Sequence, residues 1–325
     1  MQQPVLTEST GRFVDVELIE VASGLGFPEG PVAMADGSVV LTEISRSTLS
    51  RVTPDGEIEV IAELGGGPNG AAIGPDGACY VVNNGGCFTF IDLGGLVVPG
   101  PTPPEWEAGC VQRVDLETGE FTTLYDSCDG RPLRAPNDIV FDTHGGFWFT
   151  DHGVRRDRFS DITGLFYAMA DGSEIREVVF GLESPNGIGI SPDGSTLYAA
   201  ETHSGRLLSW EITGPGEVAN TEGLHGGGAL MYGAAGGALF DSLAIDGEGN
   251  VCVATLLTSG VSVVSAQGAH HPEGGVEFLY TGDPVTTNIC FEGSDSNVAY
   301  ITLSATGRLV RCEWPVHGLD LAHRS

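Results

Sequence analysis

The sequence predicts an all-β fold: a single six-bladed β-propeller with four-stranded blades. Three observations predict it. One phrase recurs six times, the recurrences are spaced like propeller blades, and the N-terminal strand lacks a hairpin partner of its own. The phrase is an acidic residue or Asn, a short apolar strand, a Gly-containing turn and a second strand.

The copies are PEGPVAMADGSVVLTE (28–43), PNGAAIGPDGACYVVN (68–83), PNDIVFDTHGGFWFTD (136–151), PNGIGISPDGSTLYAAE (185–201), FDSLAIDGEGNVCVAT (240–255) and TNICFEGSDSNVAYIT (287–302). Their leading residues are Glu29, Asn69, Asn137, Asn186, Asp241 and Asn288, spaced 40, 68, 49, 55 and 47 apart, near the ~40–50 of a blade. Each copy reads as a β-hairpin. Asp36-Gly37, Asp76-Gly77, Asp193-Gly194 and Asp246-Gly247 supply the positive φ of a tight turn, with apolar and aromatic strand formers on both sides.

A third strand follows most copies, at 162–170, 203–212, 258–266 and 305–314, and a fourth follows at 57–64, 120–127 and 174–182. After 305–314 no fourth strand remains. The orphan segment 13–22, FVDVELIEVA, is therefore expected to complete the last blade and seal the ring. No stretch needs a long amphipathic helix. The reading is one domain over residues 1–325, with one insertion at 84–110 whose Pro-rich part, PGPTPPEWE, suits a lid or pocket wall.

Composition excludes several functions. There are 44 acidic residues against 14 basic ones, a formal charge of −30, so nucleic acid is not a partner. All 14 basic residues are arginines, which rules out Schiff-base and P-loop lysine chemistry. No apolar run approaches the ~18 residues of a membrane span. Seven cysteines, without a CxxC pair, and an N-terminus without a signal pattern lead to the expectation of a cytoplasmic protein. One disulfide among Cys87, Cys110 and Cys128 stays open.

A hairpin brings the start of its first strand and the end of its second to the same end. The six leading residues are therefore expected to ring one mouth of the axis, joined by Glu43, Asn83, Asn84, Asp151, His152, Glu201 and His203. Carboxylates and Asn oxygens are hard ligands suited to Ca²⁺, with Mg²⁺, Mn²⁺ or Zn²⁺ as alternatives. Two carboxylates converging on an axis would repel each other without a cation. Asn69 and Asn288, taken singly, read first as local turn caps. No GxSxG, HExxH or helix-entering GxGxxG is present. His270-His271 reads as exposed loop, and His225 as part of a Gly-rich loop near the mouth.

The motifs FPEGPV, PNDIVFD with GGFWFTDHG, PNGIGISPDGSTLYAAET and FDSLAIDGEGNVCVAT resemble the regucalcin/gluconolactonase family (senescence marker protein-like) of six-bladed propellers over nearly the whole chain. The resemblance implies a divalent cation held by Glu29, Asn186 and Asp241, with Asn137 approaching the metal or substrate. Diisopropylfluorophosphatase, a relative of that family, also places an Asn ligand there. It implies opening of a lactone to a hydroxy acid, the metal serving as Lewis acid and Asp241 as catalytic general base. Asn69, Asn83, Asp151, His152, His203 and Trp106 are the expected substrate contacts. Aldonolactone-specific members carry an Arg two residues before the third leading Asn. Here Ala135 stands there, beside Arg134, and Phe27, Trp106 and Phe240 offer an apolar lining instead. A small lactone or ester is the expected partner. A phosphotriester or cyclic ether handled at the same metal site, or a non-enzymatic ligand-binding propeller, remains the alternative.

Overall fold

The computed structural model describes residues 7–323 and contains six antiparallel blades around one axis, each of four strands except that in blade 4 a short fifth strand, Glu217–Val218, also pairs with Arg206–Gly214. From the axis outward, blade 1 is Pro28–Ala33, Val39–Glu43, Thr48–Val52 and Ile58–Glu63. Blade 2 is Pro68–Ile73, Cys79–Asn83, Cys110–Val114 and Phe121–Tyr125. Blade 3 is Pro136–Phe141, Gly146–Asp151, Thr163–Met169 and Ile175–Leu182. Blade 4 is Pro185–Ile190, Thr196–Glu201, Arg206–Gly214 and Ala229–Gly233. Blade 5 is Leu239–Ile245, Val251–Leu256, Gly260–Val264 and Val276–Tyr280.

Blade 6 joins both ends of the chain. Thr286–Phe291, Val298–Leu303 and Arg308–Glu313 are completed by the N-terminal strand Ile19–Ser23, which pairs antiparallel with Arg308–Glu313. The closing strand is thus shorter than the 13–22 segment suggests. Gly11–Phe13 forms a 3₁₀ turn, and Phe13 is buried against Trp314 with ring centroids 4.6 Å apart. Each innermost strand packs on its neighbour, and that of blade 6 packs on that of blade 1, so the ring is closed.

The hydrophobic core is divided into layers between blades. Val40 and Leu49 of blade 1 meet Ala71 and Val81 of blade 2, while Trp148 and Leu165 of blade 3 meet Leu197 and Leu208 of blade 4. Inner strands are therefore buried on both faces, which is why they read as continuous apolar runs rather than alternating ones. Outer strands such as Ile58–Glu63 face water. The Asp-Gly turns are left-handed at Gly37, Gly77 and Gly194. In blade 5 the turn slips, and Gly249 rather than Gly247 takes the positive φ.

The Gly-rich stretch is only partly loop: His225 lies in a 3₁₀ turn, Leu224–Gly227, and does not line the axial cavity. The following residues, Ala229–Gly233, supply the outer strand of blade 4, and the His225 ring contacts Arg206. The insertion leaves blade 2 after Asn83 and forms a small hairpin, Phe90–Asp92 with Val97–Pro99. The hairpin crosses the mouth. Its Val97 N–H donates to the Ala305 carbonyl of blade 6 at 2.8 Å, and Phe90 lies 5.0 Å from Phe27 of blade 1. All seven cysteines are free, including Cys87, Cys110 and Cys128. No helix among the described residues is long and apolar enough to cross a membrane.

Candidate active site

The six leading residues reach the axis because every innermost strand breaks register at that point. Pairing with the second strand skips between Glu29 and Val32, Pro68 and Ala71, Pro136 and Ile139, Pro185 and Ile188, Phe240 and Leu243, and Thr286 and Asn288. A bulge of this kind re-aims a side chain out of the ladder. The strands then crowd together. A Cβ on Gly30 would lie 2.5 Å from the Asn69 carbonyl oxygen, and one on Gly187 would lie 2.8 Å from that of Asp241. Thr42 and Thr150 clamp the ring by donating to the carbonyls of Asn69 and Asn186, each at 2.6 Å.

Glu29, Asn69, Asn137, Asn186 and Asp241 together line one cavity of about 420 Å³. One Glu29 oxygen accepts from the Gly30 N–H at 2.8 Å and from Asn288 Nδ2 at 2.7 Å. Asn288 is therefore a support for Glu29, while its own Oδ1 caps the Ile289 N–H. Asn186 donates through Nδ2 to Thr202 at 3.0 Å, which turns its Oδ1 toward the Ser242 hydroxyl at 3.3 Å. The Asn137 Oδ1 atom is buried and has no hydrogen-bond partner.

The carboxyls feel this crowding. Burial pushes Glu29 up to about 7. Asp241 rises well above the ordinary carboxyl range through burial first and the Glu29 charge second, with a hydrogen bond from Asn186 opposing. Asp138, next to Asn137 on the same strand, is pushed up to about 8 by burial and by Glu29. Its oxygens accept the N–H groups of Ile139 at 3.0 Å and Ile188 at 3.1 Å. Asp138 is absent from the sequence-based site. The signal was its place in PND, where three of the parallel motifs have Gly at 30, 70 and 187.

An orphaned amide oxygen beside two buried, mutually repelling carboxylates is a donor set that fits a hard divalent cation. Among the described residues no cluster of three His, Cys, Asp or Glu side chains is disposed to hold a metal. The fit rests on two carboxylates and two Asn oxygens instead.

The residues ending the second strands divide into two groups. His152 and His203 line the cavity, their rings 5.6 Å apart. His152 Nδ1 lies 3.0 Å from the Gly153 carbonyl, and His203 Nδ1 contacts the Ser184 hydroxyl. Burial, then the neighbouring His203, lowers His152 to about 4, so it is neutral at pH 7.

Asn83 and Asp151 do not line the cavity, contrary to expectation. The Asn83 Oδ1 accepts from Gly67 and Gly85, and its Nδ2 donates to Gly65 and Gln112. Asp151 accepts the N–H groups of Arg134, Ala135 and Gly153 at 2.7, 2.7 and 3.0 Å. Glu43 and Glu201 hold the Gly26 and Glu183 N–H groups in the same way. The physical reason is shared. Backbone donors leading into each innermost strand are cut off from water and take this side chain as their acceptor.

Trp106 is also off the cavity. Its Nε1 donates to the Asn84 carbonyl at 2.8 Å, and the ring packs with Cys87, Ala135 and Val154 beneath the insertion. Phe240 is fully buried between blades 4 and 5. Of the three expected apolar groups only Phe27 lines the cavity, joined by Ile44, Val285 and Leu256 and by Val98 and Pro99 of the inserted hairpin. Ala135 is buried and does not face the site.

Fold and site together define a six-bladed propeller with an axial, oxygen-lined small-molecule cavity roofed by an insertion. Residues 27–305 match the SMP-30/gluconolactonase/LRE-like region, and the chain belongs to that family. A gluconolactonase of Zymomonas mobilis is 24% identical, over 92% of this chain and 81% of the relative. Among solved structures, a gluconolactonase of Xanthomonas campestris superposes with a TM-score of 0.73 at 19% identity, covering 95% of this chain and 94% of that one. The calcium-binding regucalcin of Agrobacterium tumefaciens superposes with a TM-score of 0.69 at 17% identity, covering 94% and 97%.

Proposed function

We propose that the protein is a metal-dependent lactonase that opens a cyclic ester to a hydroxy acid. The observation that carries this reading is the unpartnered Asn137 Oδ1 beside the buried carboxylates of Glu29 and Asp241, in a chain of the gluconolactonase-like family. Glu29, Asn137, Asn186 and Asp241 would hold one divalent cation, Ca²⁺ by their all-oxygen chemistry. When bound, such an ion polarises an ester carbonyl and offsets oxyanion charge.

The chain's own groups do the rest. Asp241 is the general base: its carboxylate takes a proton from water as the water oxygen bonds to the lactone carbonyl carbon. The ring C–O bond then breaks, and the proton passes to the leaving oxygen, giving the hydroxy acid. His152 and His203, neutral and held at Nδ1, offer their Nε2 atoms to polar groups of the substrate. Asn69 completes the polar floor. The Phe27, Ile44 and Val98 wall favours a lactone with an apolar body over a polyhydroxylated sugar lactone. Seven free thiols suit a reducing cytoplasm.

The test is acid release from a panel of sugar, aliphatic and aromatic lactones, with EDTA and then with Ca²⁺, Mn²⁺, Mg²⁺ or Zn²⁺ restored. EDTA-sensitive turnover restored by one ion is expected. Metal-loaded protein inactive on every lactone would redirect the site to a phosphotriester or cyclic ether. Protein that takes up no ion and turns over nothing would leave a binding propeller.

A further inference from the structure

After the second strand of blade 3, residues Arg155–Arg156 pair with Phe159–Ser160 in a short hairpin at the rim of the cavity. The segment puts Arg155, Arg156 and Arg158 within four positions of a chain that has 14 basic residues and a formal charge of −30. Eight other arginines are ion-paired with carboxylates. Among the described residues these three make no ion pair and no side-chain hydrogen bond. They border an open depression of about 630 Å³ shared with Pro101 and Thr102 of the insertion. Arg155, Pro101 and Thr102 also line the axial cavity, so the two spaces adjoin. The Arg155 charge is felt inside: burial, then Arg155, lowers the pKa of His203.

We propose that this hairpin is an anion subsite, and that the lactone taken by the site carries a carboxylate or phosphate lying against Arg155, Arg156 and Arg158. The proposal rests on the lactonase reading and names the substrate's second recognition group. Guanidinium forks match the oxygens of carboxylate and phosphate in pairs. The distributed negative charge of the chain holds anions off its surface. Screening damps that field beyond about 8 Å at physiological salt, so an anion in contact with the three arginines feels them more than the distant acidic surface. Asp157, between them, removes only part of the local positive charge.

The experiment compares two δ-lactones of equal length, one ending in a carboxylate and the other in its methyl ester. A phosphate-ended lactone is run beside them to show which anion is preferred. Wild type is expected to favour an anionic lactone about tenfold in kcat/KM, with the preference shrinking as salt rises. The Arg156→Gln/Arg158→Gln variant, which leaves the cavity-facing Arg155 intact, should lose most of that preference through KM. Its kcat/KM for the ester should not change. Equal use of all three lactones by wild type, or a parallel loss on ester and acids in the variant, overturns the subsite. Calorimetric binding of the ring-opened hydroxy diacid gives a readout without turnover. It should be about tenfold tighter to wild type than to the variant. Equal binding overturns the subsite even if lactones are hydrolysed, and absent turnover with unequal binding would sink only the lactonase reading.

Discussion

Replacing Asn137 with Ala should stabilise the metal-free protein and destabilise the metal-loaded one relative to wild type. The Asn137 Oδ1 is buried without a partner, and an unsatisfied buried acceptor costs about 1–3 kcal/mol. The side chain borders a cavity, so truncation forfeits little packing, and a net gain of about 1 kcal/mol is expected. In a chain of this size that is about 2 °C in Tm. A cation at a hundred times its Kd adds about 2.7 kcal/mol to a protein that binds it, or about 5 °C. Scanning calorimetry in EDTA should therefore place the variant above wild type, and excess Ca²⁺ should invert the order. A variant less stable than wild type in EDTA would show that the oxygen already has a structural partner. An equal Ca²⁺ gain in both proteins would remove Asn137 from the ligand set.

Three further outcomes follow from the same geometry. Glu29 is raised from an ordinary 4.5 to about 7, so in metal-free protein the folded state holds a proton there that the unfolded state releases. Stability in EDTA should accordingly fall as pH rises from about 4.5 to 7, and Glu29→Gln should make that slope shallower in pH-dependent melts, the raised Asp138 and Asp241 carrying the remainder. Asp151→Asn should lower stability by about 2 kcal/mol or more, because three backbone donors lose a charged acceptor, while kcat of the folded fraction stays near wild type. A selective loss of kcat instead would restore Asp151 to the site. Gly187→Ala pushes a methyl to 2.6 Å from the Leu243 nitrogen and 2.8 Å from the Asp241 carbonyl. It should cost about 1–3 kcal/mol in denaturant unfolding and weaken calorimetric cation binding by displacing Asp241.

The repeat made most of the fold legible. Hairpin chemistry marked the paired inner strands, and the missing fourth strand after Arg308–Glu313 called for the N-terminal one. The leading residues were legible as a ring because they recur at a fixed place in each copy. What stayed hidden depends on contacts between distant segments. Asn83 and Asp151 share the polar look of site residues, yet serve backbone amides that only the folded blade brings near. His152, one residue beyond Asp151, does reach the cavity, so one position separates a structural acceptor from a site residue. Trp106 was misplaced because the path of the insertion is set by its docking on blade 6 through Val97 and Ala305, which no local pattern encodes. Asp138 and the Arg155–Arg158 run were visible as residue types but were passed over, one inside a motif and the other inside a loop.

The most direct test of the central claim is a stoichiometric one. EDTA-stripped protein is titrated with Ca²⁺ while lactone hydrolysis and bound metal are measured on the same samples. The account predicts turnover that rises in proportion to bound metal and saturates at one ion per chain, with neither signal in Glu29→Gln or Asp241→Asn. Full turnover in metal-free protein, or metal bound in those variants as in wild type, would contradict it.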